Sequence, residues 1–395
     1  MWFFRCALWL NYLAPHVITT LLRWILHIGI KAEGNSMNIG LVGLSKSGKT
    51  TIFNALTGET AEVSAYQSGR VEPNRAIVQV EDERVAVLSE MYQPKKTIYA
   101  QLELVDFAGM SGNADNGEIF TGEAVAAVKT TDALALVLRS FASEEVDSQH
   151  GPANPAEELE TLNAEFLLSD QIVVEKRLAK VREDIKKGKK DADLPAEEKL
   201  LALVLEHLEA GKPIRELEIN PDQRKALSGY QFLTSKPIFV ILNSDEERYG
   251  SSSAVLEEIE KTCEAIEFAG KFEMELSGLD PEDAAVFMED IGITGSARAR
   301  LSTSAYAILG YISFFTVGED EVRAWTIRSG ATAVDAAGTI HSDLARGFIR
   351  AECFSYDDLH TLGTEKALKE KGLIRLEGKT YIAQDGDILN IRFSV

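Results

Sequence analysis

Eight consecutive residues in a 395-residue chain have the types and spacing to hold a phosphate chain: Gly43-Leu44-Ser45-Lys46-Ser47-Gly48-Lys49-Thr50. Glycines let backbone N–H groups curl around phosphate oxygens, Lys49 places a point charge on the β and γ oxygens, and Thr50 offers a hydroxyl to Mg²⁺. Gly43, Lys46, Ser47, Gly48, Lys49, Thr50 and Thr51 are therefore candidate nucleotide-binding residues. Asp106-Phe107-Ala108-Gly109 adds the second half of a phosphate site. Asp106 can hold a Mg²⁺-bound water, and Gly109 can donate its N–H to a γ-phosphate. The next residue is Met110, where Ras-like enzymes keep a glutamine that orients the attacking water. A methionine cannot do that, so turnover is expected to be slow or to need another group or a bound partner. The base is read elsewhere. GTPases carry Asn-Lys-x-Asp, whose Asp accepts the guanine N1 and N2 hydrogens; this chain has Asn243-Ser244-Asp245-Glu246. The longer Glu246 disturbs that bidentate contact and makes adenine a real candidate, with Asn243, Ser244 and Glu246 as the base-binding set. The alternative is that Asn243 only caps the following turn.

These groups need a scaffold that brings distant segments together. Residues 38–43 read as a short buried strand and Lys49–Leu56 as the helix after the glycine-rich loop. Ala76–Val80 and Leu102–Asp106 are further strands, and Ala133–Leu138 and Pro237–Leu242 are continuous apolar runs of the kind a doubly covered parallel sheet requires. Strands alternating with helical stretches predict a doubly wound α/β domain. Between the two apolar runs, Leu167, Val174, Leu178, Val181 and Ile185 form an a/d seam. A polar break at Gly188–Pro195 precedes a second helix with Leu201, Val204, Leu205 and Leu208. The pair predicts an antiparallel hairpin with a lysine-rich tip at Lys186, Lys187, Lys189 and Lys190. From Ser313 onward, β-like runs, one helix at Ala333–Arg346 and a last strand Ile388–Phe393 predict a small α+β domain.

Composition bounds the rest. With 41 basic and 62 acidic residues the formal charge is −21, which excludes broad nonspecific wrapping of nucleic acid but not a local basic patch. Cys6, Cys263 and Cys353 show no metal-ligand spacing, and so few thiols fit a reducing, cytoplasmic compartment. Residues 1–36 are apolar but interrupted by Asn11, Pro15, His16, Arg23 and His27. They are expected to be an over-extended start before Met37, with a membrane-associating extension as the second reading. No stable membrane association is expected.

With these motifs in order, the chain resembles the YchF / Obg-like ATPase family of P-loop proteins. Val71-Glu72-Pro73-Asn74, Asp82-Glu83-Arg84 and Tyr92-Gln93-Pro94-Lys95-Lys96 look like its switch I and continuation. Phe314-Phe315-Thr316-Val317-Gly318, Arg323-Ala324-Trp325-Thr326, His341-Ser342-Asp343 and Arg346-Gly347-Phe348-Ile349-Arg350-Ala351-Glu352 look like its C-terminal TGS domain. The resemblance implies a G domain (37–150 and 232–311), an inserted coiled-coil hairpin (151–231) and a TGS domain of β-grasp shape (312–395). It also implies hydrolysis of ATP at least as readily as GTP, Mg²⁺ at Thr50 and, through water, at Asp106, and ribosome association through the hairpin and TGS domain, on the large subunit. The sequence departs from the family in its Ser45-Lys46-Ser47 and Thr50-Thr51 P-loop residues, and at Arg70, where the family has a metal-ligating Thr. Arg70 could instead contact a phosphate, or Ser68 could serve the metal. The family's lysines are also missing from Ser111–Gly117.

Lesser candidates carry less. His341, Ser342 and Asp343 are adjacent and cannot converge on one reacting atom as a triad. Arg346 and Arg350, one turn apart if the helix continues, could form an RNA-facing patch with Lys366, Lys369 and Lys371, or simply a solvated face. The expected function is a Mg²⁺-dependent ATPase, with GTP also accepted, acting as a translation-linked switch. The alternatives are a GTP-specific GTPase and a nucleotide-binding scaffold whose hydrolysis has decayed.

Overall fold

The computed structural model describes residues 37–58, 73–107, 120–189 and 193–394. Arg70, Ser68, Gly109, Met110, Lys190, the Ser111–Gly117 segment and residues 1–36 lie outside them. The strands in chain order are β1 (Met37–Val42), β2 (Asn74–Gln79), β3 (Lys96–Ile98), β4 (Gln101–Asp106), β5 (Ala133–Arg139) and β6 (Ile238–Asn243). They continue with β7 (Ala265–Phe268), β8 (Tyr311–Thr316), β9 (Glu321–Arg328), β10 (Phe348–Ser355), β11 (Arg375–Glu377) and β12 (Asp387–Phe393). Contacts gather the chain into two compact units, one of Met37–Val78 with Leu102–Ser304, the other of Gln79–Gln101 with Ala305–Val395.

The first unit is built on a sheet of order β2-β4-β1-β5-β6-β7. β1 pairs in parallel with β4 and β5, and β5, β6 and β7 continue in parallel. Every residue of β5 and β6 is buried, as expected of runs covered on both faces. The order of strands reverses at β1, so the carboxyl ends of β1 and β5 open onto the crevice where such sheets bind ligands.

The insertion between β5 and β6 contains a 32-residue helix, Pro155–Lys186, and a second helix, Leu194–Glu209. Asn154 caps the long helix by accepting the Glu157 N–H, and Pro155 suits its first turn, where no intrahelical donor is needed. Its first half buries Leu159, Leu162 and Phe166 in the sheet's core. Its second half buries Val174, Leu178 and Val181 against Leu201, Val204 and Leu208, along the a/d seam. Between the halves lies Asp170, fully buried, accepting the Leu233 N–H at 3.0 Å, the Thr234 N–H at 2.7 Å and the Thr234 hydroxyl at 2.7 Å.

The second unit has a sheet of order β11-β10-β12-β8-β9-β3. Helix Ala333–Ile340 covers it with Ala333, Ala336 and Ala337 over Phe314, Ile327, Phe348 and Leu389. The continuous helix expected over Ala333–Arg346 is two helices, Ala333–Ile340 and Ser342–Arg346. His341 takes an extended backbone between them, and its Nδ1 accepts the Asp343 N–H at 3.1 Å, capping the second. The helix also stops at Arg346, which pairs with Asp343, while Arg350 sits on β10. The two arginines are thus not one helical turn apart. Residues 79–101 belong to this unit: helix Glu83–Tyr92 is capped by Asp82, and β3 pairs in parallel with β9. The Arg84 guanidinium binds Asp82 and Asp385 and lies 5.0 Å from the Phe315 ring centroid.

Candidate functional site

The phosphate loop joins β1 to helix Lys49–Thr57, at the sheet's switch point. Two of its residues adopt left-handed backbone, Lys46 at φ 63° and Gly48 at φ 92°. Such turns aim successive N–H groups to one side and form a concave anion nest. Gly48 precedes the helix without a side-chain cap, leaving the helix's first N–H groups for a ligand. A Cβ on Gly48 would lie 2.0 Å from Asn243 Nδ2, so steric space and backbone conformation both select glycine there. The Ser47 hydroxyl is buried beside Gly43 and, among the described residues, has no hydrogen-bond partner.

Lys49 is buried, and its Nζ donates to the carbonyls of Gly43 and Leu44, each at 2.9 Å. Burial pushes its pKa below the usual lysine range, while the nearby carboxylates of Asp106 and Glu158 oppose the shift. Thr50 donates its hydroxyl to Asp106 Oδ2 at 3.0 Å, and Asn74 Nδ2 approaches the same oxygen at 3.5 Å. Asp106 ends β4 with no exposed surface. A hydroxyl and a carboxylate side by side are hard oxygen donors of the kind Mg²⁺ takes. Thr51 follows half-buried in the first helical turn, and Lys46 is exposed at the rim.

The structure brings Asn243 to this loop, while Ser244 and Glu246 lie in the residues that follow β6. Asn243 ends β6, buried, and its Nδ2 donates to the Ser47 carbonyl at 2.9 Å, so it braces the phosphate loop across the sheet. The Ser244 hydroxyl is spent on Glu267 at 2.6 Å. Glu246 stands exposed in the turn that follows β6. Its neighbour Asp245 is engaged, accepting the Ala142 N–H at 2.9 Å and the Arg248 N–H at 3.0 Å.

Two contributors escaped sequence reasoning. Gly270, after β7, packs so closely that a Cβ there would lie 2.4 Å from Asn243 Oδ1. The signal was available: small residues Ala269-Gly270 directly follow a strand whose carboxyl end faces the crevice. Behind it Glu273, buried and paired with Arg300, accepts the Ala269 N–H at 3.0 Å and fixes this turn. The second is Glu158, on the first turn of the long helix, which accepts the Arg139 N–H at 2.9 Å. Burial raises its carboxyl pKa, against the opposing charges of Arg139 and Lys49. Nothing in the local sequence around Glu158 distinguishes it from the helix's other glutamates.

Comparison with known proteins agrees with this geometry. A family described as 50S ribosome-binding GTPase matches residues 38–177, and the YchF-GTPase C-terminal family, described as a protein of unknown function (DUF933), matches residues 311–394. The chain is 38% identical to the ribosome-binding ATPase YchF of Bacillus subtilis, over 91% of this chain and 100% of that one. It is 34% identical to the protein of the same name in Escherichia coli O157:H7, over 90% of this chain and 99% of that one. The solved structure of the Schizosaccharomyces pombe YchF GTPase superposes with a TM-score of 0.79 at 29% identity, covering 92% of this chain and all of that one. With a phosphate loop braced by Asn243, a metal-suited Thr50–Asp106 pair, and relatives matched from end to end, this chain belongs to the YchF family.

Proposed function

We propose that this protein binds ATP with Mg²⁺, hydrolyses it slowly, accepts GTP less selectively than a true GTPase, and works in the cytoplasm as a ribosome-associated switch. The observation that carries the nucleotide choice is the loop after β6. Both Asp245 oxygens are already bound to backbone N–H groups, and the exposed carboxylate that follows, Glu246, is one methylene longer than the Asp that makes the bidentate guanine contact, so that contact is disturbed. Asn243 remains against the phosphate loop, where it can meet the purine without selecting guanine.

Thr50 and Asp106 would hold the Mg²⁺, Asp106 through water, and the ion when bound neutralises charge on the β and γ oxygens. Lys49 already lies between the Gly43 and Leu44 carbonyls, so it needs only a small reach to meet a phosphate oxygen. The loop N–H groups and the start of helix Lys49–Thr57 orient the phosphates, and positioning with charge stabilisation is most of what phosphoryl transfer asks of a protein. No glutamine follows Gly109, since Met110 stands there, and this supports slow intrinsic turnover. Ribosome association is supported by the names of the relatives and by the family matched over 38–177, and we assign it to the large subunit through the hairpin and the C-terminal unit. At the hairpin tip Lys187 and Lys189 pair with Glu183 and Asp184, which tempers its positive charge. Among the described residues no helix is long and apolar enough to cross a membrane.

The test is equilibrium titration of the protein with labelled ATP and GTP, followed by phosphate release with and without ribosomes. ATP should bind at least as tightly as GTP, and release should exceed background. A clear GTP preference would show that the loop after β6 reads guanine. Saturable binding with no release in either condition would leave a nucleotide-binding scaffold.

A further inference from the structure

We propose that Glu158 is a positioning residue that couples the helical hairpin to the phosphate site, so that nucleotide in the loop and load on the hairpin each alter the other. The inference rests on the reading of Gly43–Thr50 as a nucleotide site. Three features of the long helix carry it.

The helix is one element serving two cores. At 32 residues it spans about 48 Å. Leu159, Leu162 and Phe166 are packed into the sheet, whereas Val174, Leu178 and Val181 are packed into the hairpin. Asp170, held by three donors from Leu233 and Thr234, pins the helix between these halves like a fulcrum. Glu158 lies twelve residues before it, about 18 Å along the axis. A tilt about Asp170 therefore moves Glu158 and the hairpin tip in opposite senses.

Glu158 is wired to the site by hydrogen bonds. Its Oε2 accepts the Arg139 N–H at 2.9 Å at the carboxyl end of β5, and its Oε1 lies 3.9 Å from Arg139 Nε. The next N–H, of Ser140, donates to the Asn243 carbonyl at 2.8 Å. Asn243 Nδ2 in turn donates to the Ser47 carbonyl in the phosphate loop at 2.9 Å. Three hydrogen bonds, linked through the Arg139–Ser140 peptide and Asn243, thus join the hairpin helix to the loop.

Charge makes the link responsive. Glu158 is mostly buried, with 14% of its side chain exposed, and it lies within electrostatic reach of Lys49. A nucleotide's phosphates are a second anion competing for the same buried cation. When they engage Lys49, Glu158 loses part of its attraction to the site, and the first turn of the helix relaxes. Linkage makes the converse hold: a partner that tilts the hairpin changes nucleotide affinity by the same factor.

Hydrogen exchange on the full-length protein, with and without saturating Mg²⁺ and a non-hydrolysable ATP analogue, tests this. In the wild type the analogue should protect residues 43–57 and also change exchange across residues 171–209. Glu158→Gln keeps an acceptor for the Arg139 N–H but removes the charge, so a merely structural role would leave the response intact. We expect residues 43–57 still protected in Glu158→Gln, the change over 171–209 at least about fivefold smaller, and the analogue bound about 3- to 10-fold tighter because one repelling anion is gone. Glu158→Asp, which keeps the charge, should restore part of the hairpin response. An undiminished response in Glu158→Gln, or no response at the hairpin in a wild type whose loop is protected, would overturn the coupling. Absence of protection at residues 43–57 themselves would instead overturn the nucleotide site, and the coupling with it.

Discussion

Adding one methyl group at Gly48 should damage both the phosphate loop and its brace, and the two costs can be separated. Gly48 has φ 92°, where a side chain costs about 1–2 kcal/mol. Its new Cβ would stand 2.0 Å from Asn243 Nδ2, which cannot then stay on the Ser47 carbonyl. Loss of that buried hydrogen bond adds about 1–3 kcal/mol. Gly48→Ala should therefore lose about 2–5 kcal/mol in urea unfolding and should bind ATP too weakly to saturate. Asn243→Ala alone should lose about 1–3 kcal/mol, because the Ser47 carbonyl is left unpaired. In the double variant the clash has nothing to strike. It should then be no less stable than Gly48→Ala alone, a departure from additivity of about 1–3 kcal/mol. Unfolding curves for the four proteins, fitted with a common slope, measure this directly. Additive losses within about 0.5 kcal/mol would refute the idea that Asn243 and Gly48 meet as described.

Two further outcomes follow from a half-buried and a buried acid in the same unit. The Glu264 carboxyl is pushed up to about 7 by burial and then by the Glu260 charge. Between its ordinary pKa near 4.5 and about 7 the folded state keeps a proton that the unfolded state gives up, so stability is present at low pH and lost as pH rises through 7. Discounted for its partial exposure, the effect is about 1–2 kcal/mol, and Glu264→Gln should flatten this slope and raise the urea midpoint at pH 8 but not at pH 4.5. Asp170→Ala should cost about 3–5 kcal/mol by leaving three donors without their buried acceptor, whereas Asp170→Asn should cost about half as much; equal midpoints for the two variants would count against Asp170 as the pin of the long helix.

What the sequence by itself determined was local. The phosphate loop is eight contiguous residues between a strand and a helix, and its chemistry follows from their types alone. The apolar runs at β5 and β6 declared a doubly covered sheet, and the a/d seam declared the hairpin, because burial periodicity is written along a single element. The order of motifs was enough to reveal the family. Tertiary structure decided whatever depends on residues far apart in the chain. It placed residues 79–101, which follow the switch-like segment in sequence, beside β9, more than 200 residues away, since a three-residue strand has no pairing preference of its own. It broke the expected helix at His341 by offering a cap that periodicity does not record, and put Arg350 on a strand. It set Gly270 against Asn243 and Glu158 beside Arg139, contacts across 27 and 19 residues that exist only because parallel strands align their carboxyl ends at one edge. Local spacing could name the phosphate loop, but only the packed sheet could show which residues from other segments brace it.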